Sequence, residues 1–363
     1  MQIRTLQLRN YRNYERAVIR FAPGMNILTG LNAQGKTNLL ESLVYLSLTR
    51  SHRLNDDQQL IRSGCEAARI SCAYEDGIER KIEAVIHKGG KTLLVNGQPV
   101  HRSSEFIGLL NVVLFAPDDL GLFTDAPRER RRLMNQEIAK ISPAYLKAMS
   151  RYQNLLRERN IHLKRFEPNE TYLDTLDEQM IAESVQIINA RREFIQSLNE
   201  EMQRLYRELS DSEDQAGLEY LSVIGPEEDP EAGLRSRYRE SRQKDVENHV
   251  TGIGVHREDL LFTLNGQNIT LTGSQGQKRM SMFSFKMALL AYIQIKTGRQ
   301  AVLLLDDVFS ELDQNRQKKL VQMIRGTQCL ITATEIPPLL KNSGAEEYTI
   351  ISGTVSARQK GIQ

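Results

Sequence analysis

Apolar residues in the first 118 positions alternate with polar ones in short runs, which is typical of β-strands. Such runs occur at residues 3–8, 18–21, 68–74, 79–87 and 92–95, and the turn signal Asn96-Gly97 follows the last of them. Residues 112–115 are a continuous apolar run and residues 25–28 are apolar except for Asn26, and both runs favour buried strands. Residues 38–44 instead have a helix-like composition. The pattern predicts an α/β region.

From about residue 144 the apolar positions are spaced by three and four, as in an amphipathic helix. One series runs from Tyr145 to Leu156, a second from Leu173 to Leu209, and Pro168-Asn169 separates them. The second series spans 37 residues, or about 55 Å of helix at a rise of 1.5 Å per residue. We therefore expect a long helical hairpin, with strand and loop character returning near residue 250.

The segment between the run at 25–28 and the helix at 38–44 is a complete Gly-x4-Gly-Lys-Thr phosphate loop. Its glycines let the backbone wrap around phosphate oxygens, and the helix start presents free N–H groups. We expect Lys36 to neutralise charge on the β- and γ-phosphates during catalysis, and the Thr37 hydroxyl to bind Mg²⁺. The predicted nucleotide-binding residues here are Gly30, Leu31, Asn32, Ala33, Gln34, Gly35, Lys36, Thr37 and Asn38.

An apolar run at residues 301–305 ends in the pair Asp306-Asp307. Such a run predicts a buried parallel strand that carries its terminal carboxylates to the edge of the sheet where ligands bind. We expect Asp306 to hold Mg²⁺ through water, and Asp307 to polarise the water that attacks the nucleotide. A strand-end turn without a catalytic role is the alternative.

A second anion-binding element is predicted at Ser274-Gln275-Gly276-Gln277, about 30 residues before Asp306 and just before an apolar helix at 280–295. Ser274, Gly276 and Gln277 are its candidate nucleotide contacts. The element follows the phosphate loop by about 240 residues. One nucleotide is not expected to reach both elements in the same subunit, so a dimer with the nucleotide between two subunits is predicted.

Charge is segregated along the chain, although the net charge of the 363 residues is only +2. Residues 128–165 carry a net +8 and residues 166–230 a net −13. Local positive patches suit the phosphate backbone of DNA. The candidate contacts are Arg128, Arg130, Arg131 and Arg132, with Arg235, Arg237 and Arg239 as a second group. Solvated helix faces, or arginines paired with acidic residues of the same chain, are the alternatives.

Composition narrows the class of protein. The three cysteines, Cys65, Cys72 and Cys329, form no Cys-x-x-Cys pair, which argues against a disulfide framework or a zinc site. No stretch approaches the roughly 18 apolar residues of a membrane-spanning helix, and the N-terminal segment lacks an apolar signal core. We therefore expect a cytoplasmic protein with no membrane association.

Together these motifs resemble an ABC-type ATPase head of the branch that contains SMC, Rad50 and RecF proteins. The resemblance is closest to the RecF family and covers nearly the whole chain. The segments that carry it, besides the three motifs, are residues 8–14, 51–53, 114–120, 127–131 and 255–260.

The resemblance implies an α/β fold: an ABC-type P-loop ATPase head made of residues 1–120 and 250–363, with a mostly helical lobe inserted at 121–249. It implies ATP and Mg²⁺ as cofactors, Arg12 as a nucleotide contact, and an ATP-dependent homodimer on gapped or junction DNA. It also implies RecR, RecO and RecA as pathway partners, and a weak, DNA-stimulated ATPase activity in recombinational repair and replication.

Two departures from the general ABC pattern bear on catalysis. Asp307 stands where such heads usually have Glu, which suggests slow hydrolysis. No switch histidine follows the strand at 330–334, so Thr332 or Thr334 substitutes for it or the role is absent. A third departure is from the RecF-like pattern: Met134-Asn135 follows the arginine run where such chains usually have Leu-Asp, and this change has little consequence for the interpretation.

Other classes fit the sequence less well. A transporter ATPase would need a membrane partner and would not need a long helical hairpin between its nucleotide-binding halves. A P-loop kinase would leave residues 274–277 unexplained, and a GTPase is disfavoured because no Asn-Lys-x-Asp motif occurs.

Overall fold

The structure is a computed structural model that describes residues 1–341 and 343–357. It divides into two compact units. The first unit contains residues 1–120, residues 204–213 and the described residues from 282 onward, and the second contains residues 121–203 and 214–281.

The chain begins with strands interrupted by one helix. These elements are β1 (Gln2–Tyr11), β2 (Tyr14–Arg20), β3 (Met25–Thr29), α1 (Lys36–Leu48), β4 (Ala67–Asp76), β5 (Ile78–His87), β6 (Gly90–Val95), β7 (Gln98–Val100) and β8 (Val112–Phe115). Every strand predicted in this region is present, and so is the predicted helix.

The middle of the chain is mostly helical. It contains α2 (Pro127–Ile141), α3 (Pro143–Leu163), α4 (Glu170–Ser210), β9 (Ala216–Leu221), α5 (Pro230–Asn248), β10 (Asp259–Leu264), β11 (Gln267–Asn268), α6 (Ile269–Thr272) and α7 (Gln275–Thr297). The remaining elements are β12 (Val302–Asp306), α8 (Gln314–Met323), β13 (Cys329–Ala333), β14 (Glu346–Ile351) and β15 (Thr354–Ala357).

The first unit is built on two six-stranded sheets. One is antiparallel with the order β2-β1-β4-β5-β6-β7, and the other has the order β15-β14-β3-β13-β12-β8. In the second sheet the strands from β14 to β8 are parallel, as predicted for the run that ends at Asp306. One hydrophobic core joins both sheets to α1, whose side chains Leu39, Leu43 and Leu46 are fully buried. Most of α1 is buried, and its buried residues include the polar side chains of Glu41, Ser42 and Ser47 as well as the apolar ones.

The second unit contains the predicted helical hairpin. α3 and α4 carry the two apolar series, and the predicted break at Pro168-Asn169 lies in the connection between these two helices. The unit also contains a three-stranded antiparallel sheet with the order β11-β10-β9.

The compact units differ from the predicted lobes at two places. Residues 250–281 group with the second compact unit, in which β10 pairs with β9, whereas the family resemblance placed them in the ATPase lobe. The end of α4, residues 204–213, belongs with the first unit, where Asp211 accepts a hydrogen bond from Asn315 and pairs with Lys319. The α/β fold with a mostly helical inserted lobe is confirmed; hydrophobic periodicity finds elements but not the partners across which they pack.

Candidate nucleotide site

The predicted phosphate loop lies between the end of β3 and the start of α1, so its strand–loop–helix context is confirmed. Gly30 and Gly35 have φ angles of 151° and 116°, in the region that disfavours other residues. A Cβ at Gly30 would lie 2.3 Å from the carbonyl oxygen of Ile350, and one at Gly35 would lie 2.6 Å from Nδ2 of Asn13. Both glycines are therefore required by conformation and by space.

Lys36 is the first residue of α1, and its side chain is folded back over the loop. Its Nζ donates to the carbonyl oxygens of Gly30 at 2.5 Å and Leu31 at 2.9 Å. Burial lowers the pKa of this ammonium, and the charges of Asp307 and Asp306 partly oppose that shift. The ammonium is thus held over the concave side of the loop, and phosphate oxygens of a bound nucleotide would replace the carbonyl oxygens as its acceptors.

The turn between β1 and β2 braces the phosphate loop. Asn13 donates to the Gln34 carbonyl at 2.8 Å and accepts from Asn38 at 3.0 Å, and Tyr14 donates to the Gly35 carbonyl at 2.9 Å. These hydrogen bonds occupy the carbonyls of Gln34 and Gly35 and fix the backbone at the end of the loop. Asn38, predicted as a nucleotide contact, lies in the first turn of α1, and its side-chain amide donates to Asn13.

The turn between β14 and β15 holds the other side of the loop. The amide of Ser352 donates to the Gln34 side-chain oxygen at 2.6 Å, and the amide of Gly353 donates to the Gln34 carbonyl at 3.1 Å. Sequence reasoning missed this turn and Asn13. Positive φ values at Arg12 and Ser352 mark both turns as tight, but only the fold shows that they meet at Gln34.

Asp306 lies at the carboxyl edge of the parallel sheet, as predicted. Its strand partner is Thr332 on β13, and Thr332 in turn is opposite Leu28 on β3, so the three strands end together. Oδ1 of Asp306 accepts hydrogen bonds from Thr37 Oγ1 at 3.1 Å and from Thr332 Oγ1 at 2.6 Å. The two predicted Mg²⁺ ligands, Thr37 and Asp306, are thereby brought together.

Asp307 follows directly in a left-handed conformation, with φ 52°. Its amide donates to Thr332 Oγ1 at 3.0 Å, so Thr332 touches both aspartates. This places Thr332, rather than the exposed Thr334, beside the two carboxylates. Of the two threonines offered as substitutes for a switch histidine, only Thr332 has this geometry.

Arg12, implied as a nucleotide contact, is paired with Glu41 of α1. Three hydrogen bonds of 2.8–3.0 Å join the guanidinium to this carboxylate, which is fully buried and also accepts from Ser51 at 2.5 Å. Ser51 Oγ accepts in addition from the amides of Arg53 and Leu54. Residues 51–53, which matched the RecF pattern, are thus tied through Glu41 to the helix of the phosphate loop.

The second predicted anion-binding element is the N-terminus of α7, in the second unit. The amide of Gln277 donates to Ser274 Oγ at 3.2 Å, while the amide of Ser274 donates to Gln277 Oε1 at 2.9 Å, a reciprocal capping box. The nearest atom to a Cβ placed on Gly276 is Ser274 Oγ at 3.9 Å, and no positive φ requires a glycine. The folded chain therefore has no internal need for glycine at this exposed helix start.

Most of the predicted DNA-binding arginines have acceptors within the second unit. Arg130 binds Asp259 at 2.6 and 3.0 Å and the carbonyls of Leu122 and Asp125, and Arg131 donates to the Glu258 carbonyl at 2.7 Å. Arg132 contacts Glu129, Arg235 pairs with Glu178, and Arg237 pairs with Glu228. Arg128 and Arg239 are exposed. These contacts favour the alternative that sequence analysis left open, arginines paired with acidic residues.

Residues 1–341 and 343–357 contain no group of three or more His, Cys, Asp or Glu side chains arranged to hold a metal ion. Within the same residues, no helix combines the length and apolar character required to cross a membrane.

Known proteins are similar to this chain over nearly its whole length. The family model of the RecF/RecN/SMC N-terminal domain matches residues 2–339. The DNA replication and repair protein RecF of Listeria monocytogenes is 38% identical over 371 residues, covering 99% of each chain. The protein of the same name from Lachnoclostridium phytofermentans is 36% identical over 362 residues, covering 98% of this chain and 99% of its own.

Solved structures of RecF and of an Smc head are also similar to this chain. The structure of the recombination mediator protein RecF with ATP, in the RecFOR pathway, superposes with a TM-score of 0.92 at 30% identity, covering 98% of this chain and 97% of that one. An Smc head bound to the C-terminal winged-helix domain of ScpA shares the fold, with a TM-score of 0.59 at 16% identity and coverage of 99% and 97%. The family match and the nearly full-length relatives show that this chain belongs to the RecF family, with an ABC-type head.

Proposed function

We propose that this protein is an ATP-dependent DNA-binding protein of recombinational DNA repair and of replication-gap and fork processing. In this proposal ATP binding drives head-to-head dimerisation on DNA, and hydrolysis releases the dimer. The observation that carries it is the hydrogen bond between Thr37 and Asp306, because it joins the phosphate loop to the carboxylate strand of an ATPase head. The relatives named as replication and repair proteins support the pathway.

The residues of the first unit fit a nucleotide with Mg²⁺. Lys36 and the N-terminus of α1 would hold the phosphates, and Thr37 and Asp306 present the hydroxyl and carboxylate oxygens that Mg²⁺ prefers. When bound, Mg²⁺ would neutralise charge on the phosphate oxygens. Asp307 would orient and polarise the attacking water, and Thr332 would hold the two aspartates in place. We propose a weak ATPase, stimulated by DNA.

Dimerisation is supported by the N-terminus of α7. Ser274 is exposed and Gly276 has open space beside it, so another molecule could approach the helix start closely. The first turn of a helix offers N–H groups without intrahelical partners, which suit a phosphate. We propose that this element binds the γ-phosphate of ATP held by the phosphate loop of a second subunit.

Partners follow from the family. One similar structure is described as a recombination mediator in the RecFOR pathway. We propose gapped or junction-containing double-stranded DNA as the ligand, and RecR, RecO and RecA as proteins that act with it.

The decisive experiment is light scattering of the protein alone, with ATP and Mg²⁺, and with gapped duplex DNA added. We expect the apparent mass to double with ATP and Mg²⁺ and the dimer to persist on DNA. The matched control is Lys36→Ala, which should remain at the mass of the nucleotide-free protein. A mass that does not respond to ATP, in a protein that binds ATP in calorimetry, would refute the dimer proposal.

A further inference from the structure

Three arginines lie side by side across the open face of the antiparallel sheet. In the strand register Arg9 on β1 is directly opposite Arg16 on β2, and on its other side it is directly opposite Arg69 on β4. Residues directly opposite share a face of the sheet, and all three side chains are exposed. We call Arg16, Arg9 and Arg69 the arginine row.

The opposite face of these strands is the hydrophobic core. The neighbours Leu8, Ala17 and Ile70 are buried there, so the strands cannot turn their arginines inward. The arginine row is therefore fixed to the outer face by the same alternation that builds the core.

Like charges placed directly opposite each other destabilise a sheet unless counter-charges are present. Arg69 has one, since Glu83 on β5 accepts from it at 2.6 Å and also pairs with Lys81 at 3.1 Å. Arg9 and Arg16 have no carboxylate within ion-pair distance among the residues that the structure describes. Two adjacent guanidiniums thus lack an internal counter-charge.

The row borders a shallow groove of about 560 Å³ on this face. The groove is also lined by Gln7, Ser71 and Lys81, which add hydrogen-bonding and positive groups. Its two carboxylates are already engaged: Glu83 by Arg69 and Lys81, and Glu15 by Arg62 at 3.1 Å. The surface therefore presents uncompensated positive charge, in contrast to the paired arginines of α2 and α5.

We propose that the arginine row is a binding surface for the phosphate backbone of duplex DNA. Neighbouring strands are about 4.8 Å apart, so the row extends for about 10 Å. A duplex carries one negative charge per about 1.7 Å of its axis, so that length presents several phosphates. A linear, exposed row of guanidiniums suits such a polymer better than a single small anion, which needs donors that converge on one point. The identity of the polyanion rests on the proposed function.

The surface recognises charge and spacing rather than base sequence. Arginine forks bind phosphate oxygens in pairs of hydrogen bonds, and a flat sheet face does not enter a groove of the duplex to reach base edges. Binding through the arginine row should consequently depend on salt and not on sequence.

The test measures binding of a fluorescent gapped duplex to the ATP-bound protein over a series of salt concentrations. We expect Arg9→Ala/Arg16→Ala to reduce the slope of log affinity against log salt by about 2, because each phosphate that the protein neutralises adds about 0.9 to it. Arg102→Ala/Arg325→Ala removes the same charge from exposed positions outside the row and should leave the slope unchanged. Glu83→Gln removes the negative charge that pairs with Arg69 and Lys81, so it should make the slope of log affinity against log salt steeper.

ATP affinity in calorimetry and the thermal unfolding midpoint check that both double variants are folded. An unchanged slope in folded Arg9→Ala/Arg16→Ala overturns the proposal, and so does a reduced slope in Arg128→Ala/Arg239→Ala instead. An equal reduction in the control pair would show that total charge, not the row, determines binding. If the unaltered protein binds ATP but no DNA at low salt, the proposed function itself fails, which is a separate outcome.

Discussion

Thr37 donates its hydroxyl hydrogen bond to Asp306 over 3.1 Å, joining the first turn of α1 to the end of β12. The same carboxylate oxygen accepts from Thr332 at 2.6 Å. Two donors on one oxygen fix the orientation of the carboxylate. Asp306 is thus held beside the phosphate loop, where its oxygens could bind a divalent cation.

This geometry separates the roles of the two neighbouring aspartates. Asp306→Asn should weaken ATP binding only when Mg²⁺ is present, because it replaces a charged metal ligand with a neutral amide. Asp307→Asn should bind ATP with Mg²⁺ normally but hydrolyse it slowly and leave a long-lived dimer on DNA, since the amide cannot polarise water. Calorimetry with and without Mg²⁺, together with phosphate release, distinguishes the two. Unchanged turnover in Asp307→Asn would assign the water-polarising role elsewhere.

Lys36→Ala should abolish tight ATP binding and ATP-dependent dimerisation together. Removing a charge-assisted contact costs about 1.5–3 kcal/mol. The folded chain should tolerate the change, because the carbonyls of Gly30 and Leu31 that Lys36 now contacts lie at the loop, where water can replace it. Near-normal affinity in calorimetry would count against the site.

Much of this site follows from local sequence. The phosphate loop and the apolar strand that ends in Asp306 each have a characteristic sequence pattern. The carboxyl ends of parallel strands lie at one edge of a sheet, and this rule predicts that Asp306 lies near Thr37. The Thr37–Asp306 hydrogen bond is the physical result of that rule. Local patterns were equally sufficient for the helical hairpin, because α3 and α4 are long and strongly periodic.

Contacts between distant segments could not be predicted in the same way. Ser352 binds Gln34 across 318 positions, and neither residue type indicates the other. Arg130 was assigned to DNA because four arginines lie within five residues, yet its carboxylate partner Asp259 lies 129 positions later. A charge cluster in sequence does not show which of its charges the fold neutralises.

Ser274→Arg should leave ATP binding by the single subunit intact but block dimerisation. A large cation at the start of α7 would prevent another subunit from approaching the helix N-terminus. Gly276→Ala is the finer test, because a Cβ there meets no atom closer than 3.9 Å within the chain. If the variant shows a smaller increase in apparent mass with ATP in light scattering, the added methyl group clashes with a second subunit. Full dimers in both variants would show that the helix start does not face a partner.

Arg130→Ala should lower the stability of the protein rather than its affinity for DNA. The change removes two hydrogen bonds to Asp259 and two to backbone carbonyls. Hydrogen bonds to charged groups contribute about 1.5–3 kcal/mol, so a loss of that order in chemical denaturation is expected. Arg128→Ala, at an exposed position two residues earlier, is the matched control and should be neutral in stability. If Arg130→Ala keeps its stability and flattens the salt dependence of DNA binding, Arg130 is a DNA contact after all.

His256 should make the stability of the protein sensitive to acid. Its Nε2 lies 3.1 Å from the Thr251 carbonyl and its Nδ1 lies 2.6 Å from the Tyr152 hydroxyl, an arrangement that suits a neutral ring which donates from Nε2 and accepts at Nδ1. Burial lowers the pKa of His256 to about 4; the Thr251 carbonyl opposes the shift and Arg257 adds to it.

The sign of the effect follows from linkage. The unfolded chain binds a proton at His256 near pH 6.5, whereas the folded chain binds one only near pH 4. The contribution of His256 to the free energy of unfolding is therefore complete above pH 6.5 and is lost as the pH falls toward 4. A shift of this size corresponds to about 3 kcal/mol. Chemical denaturation between pH 7 and pH 4 should therefore show a smaller fall in unfolding free energy for His256→Gln than for the unaltered protein, whatever the stability of the variant at pH 7. His52, whose pKa burial also lowers, titrates in both proteins and cancels in the difference. Identical pH profiles would mean that His256 has the same pKa in the folded and unfolded protein, which would contradict the prediction.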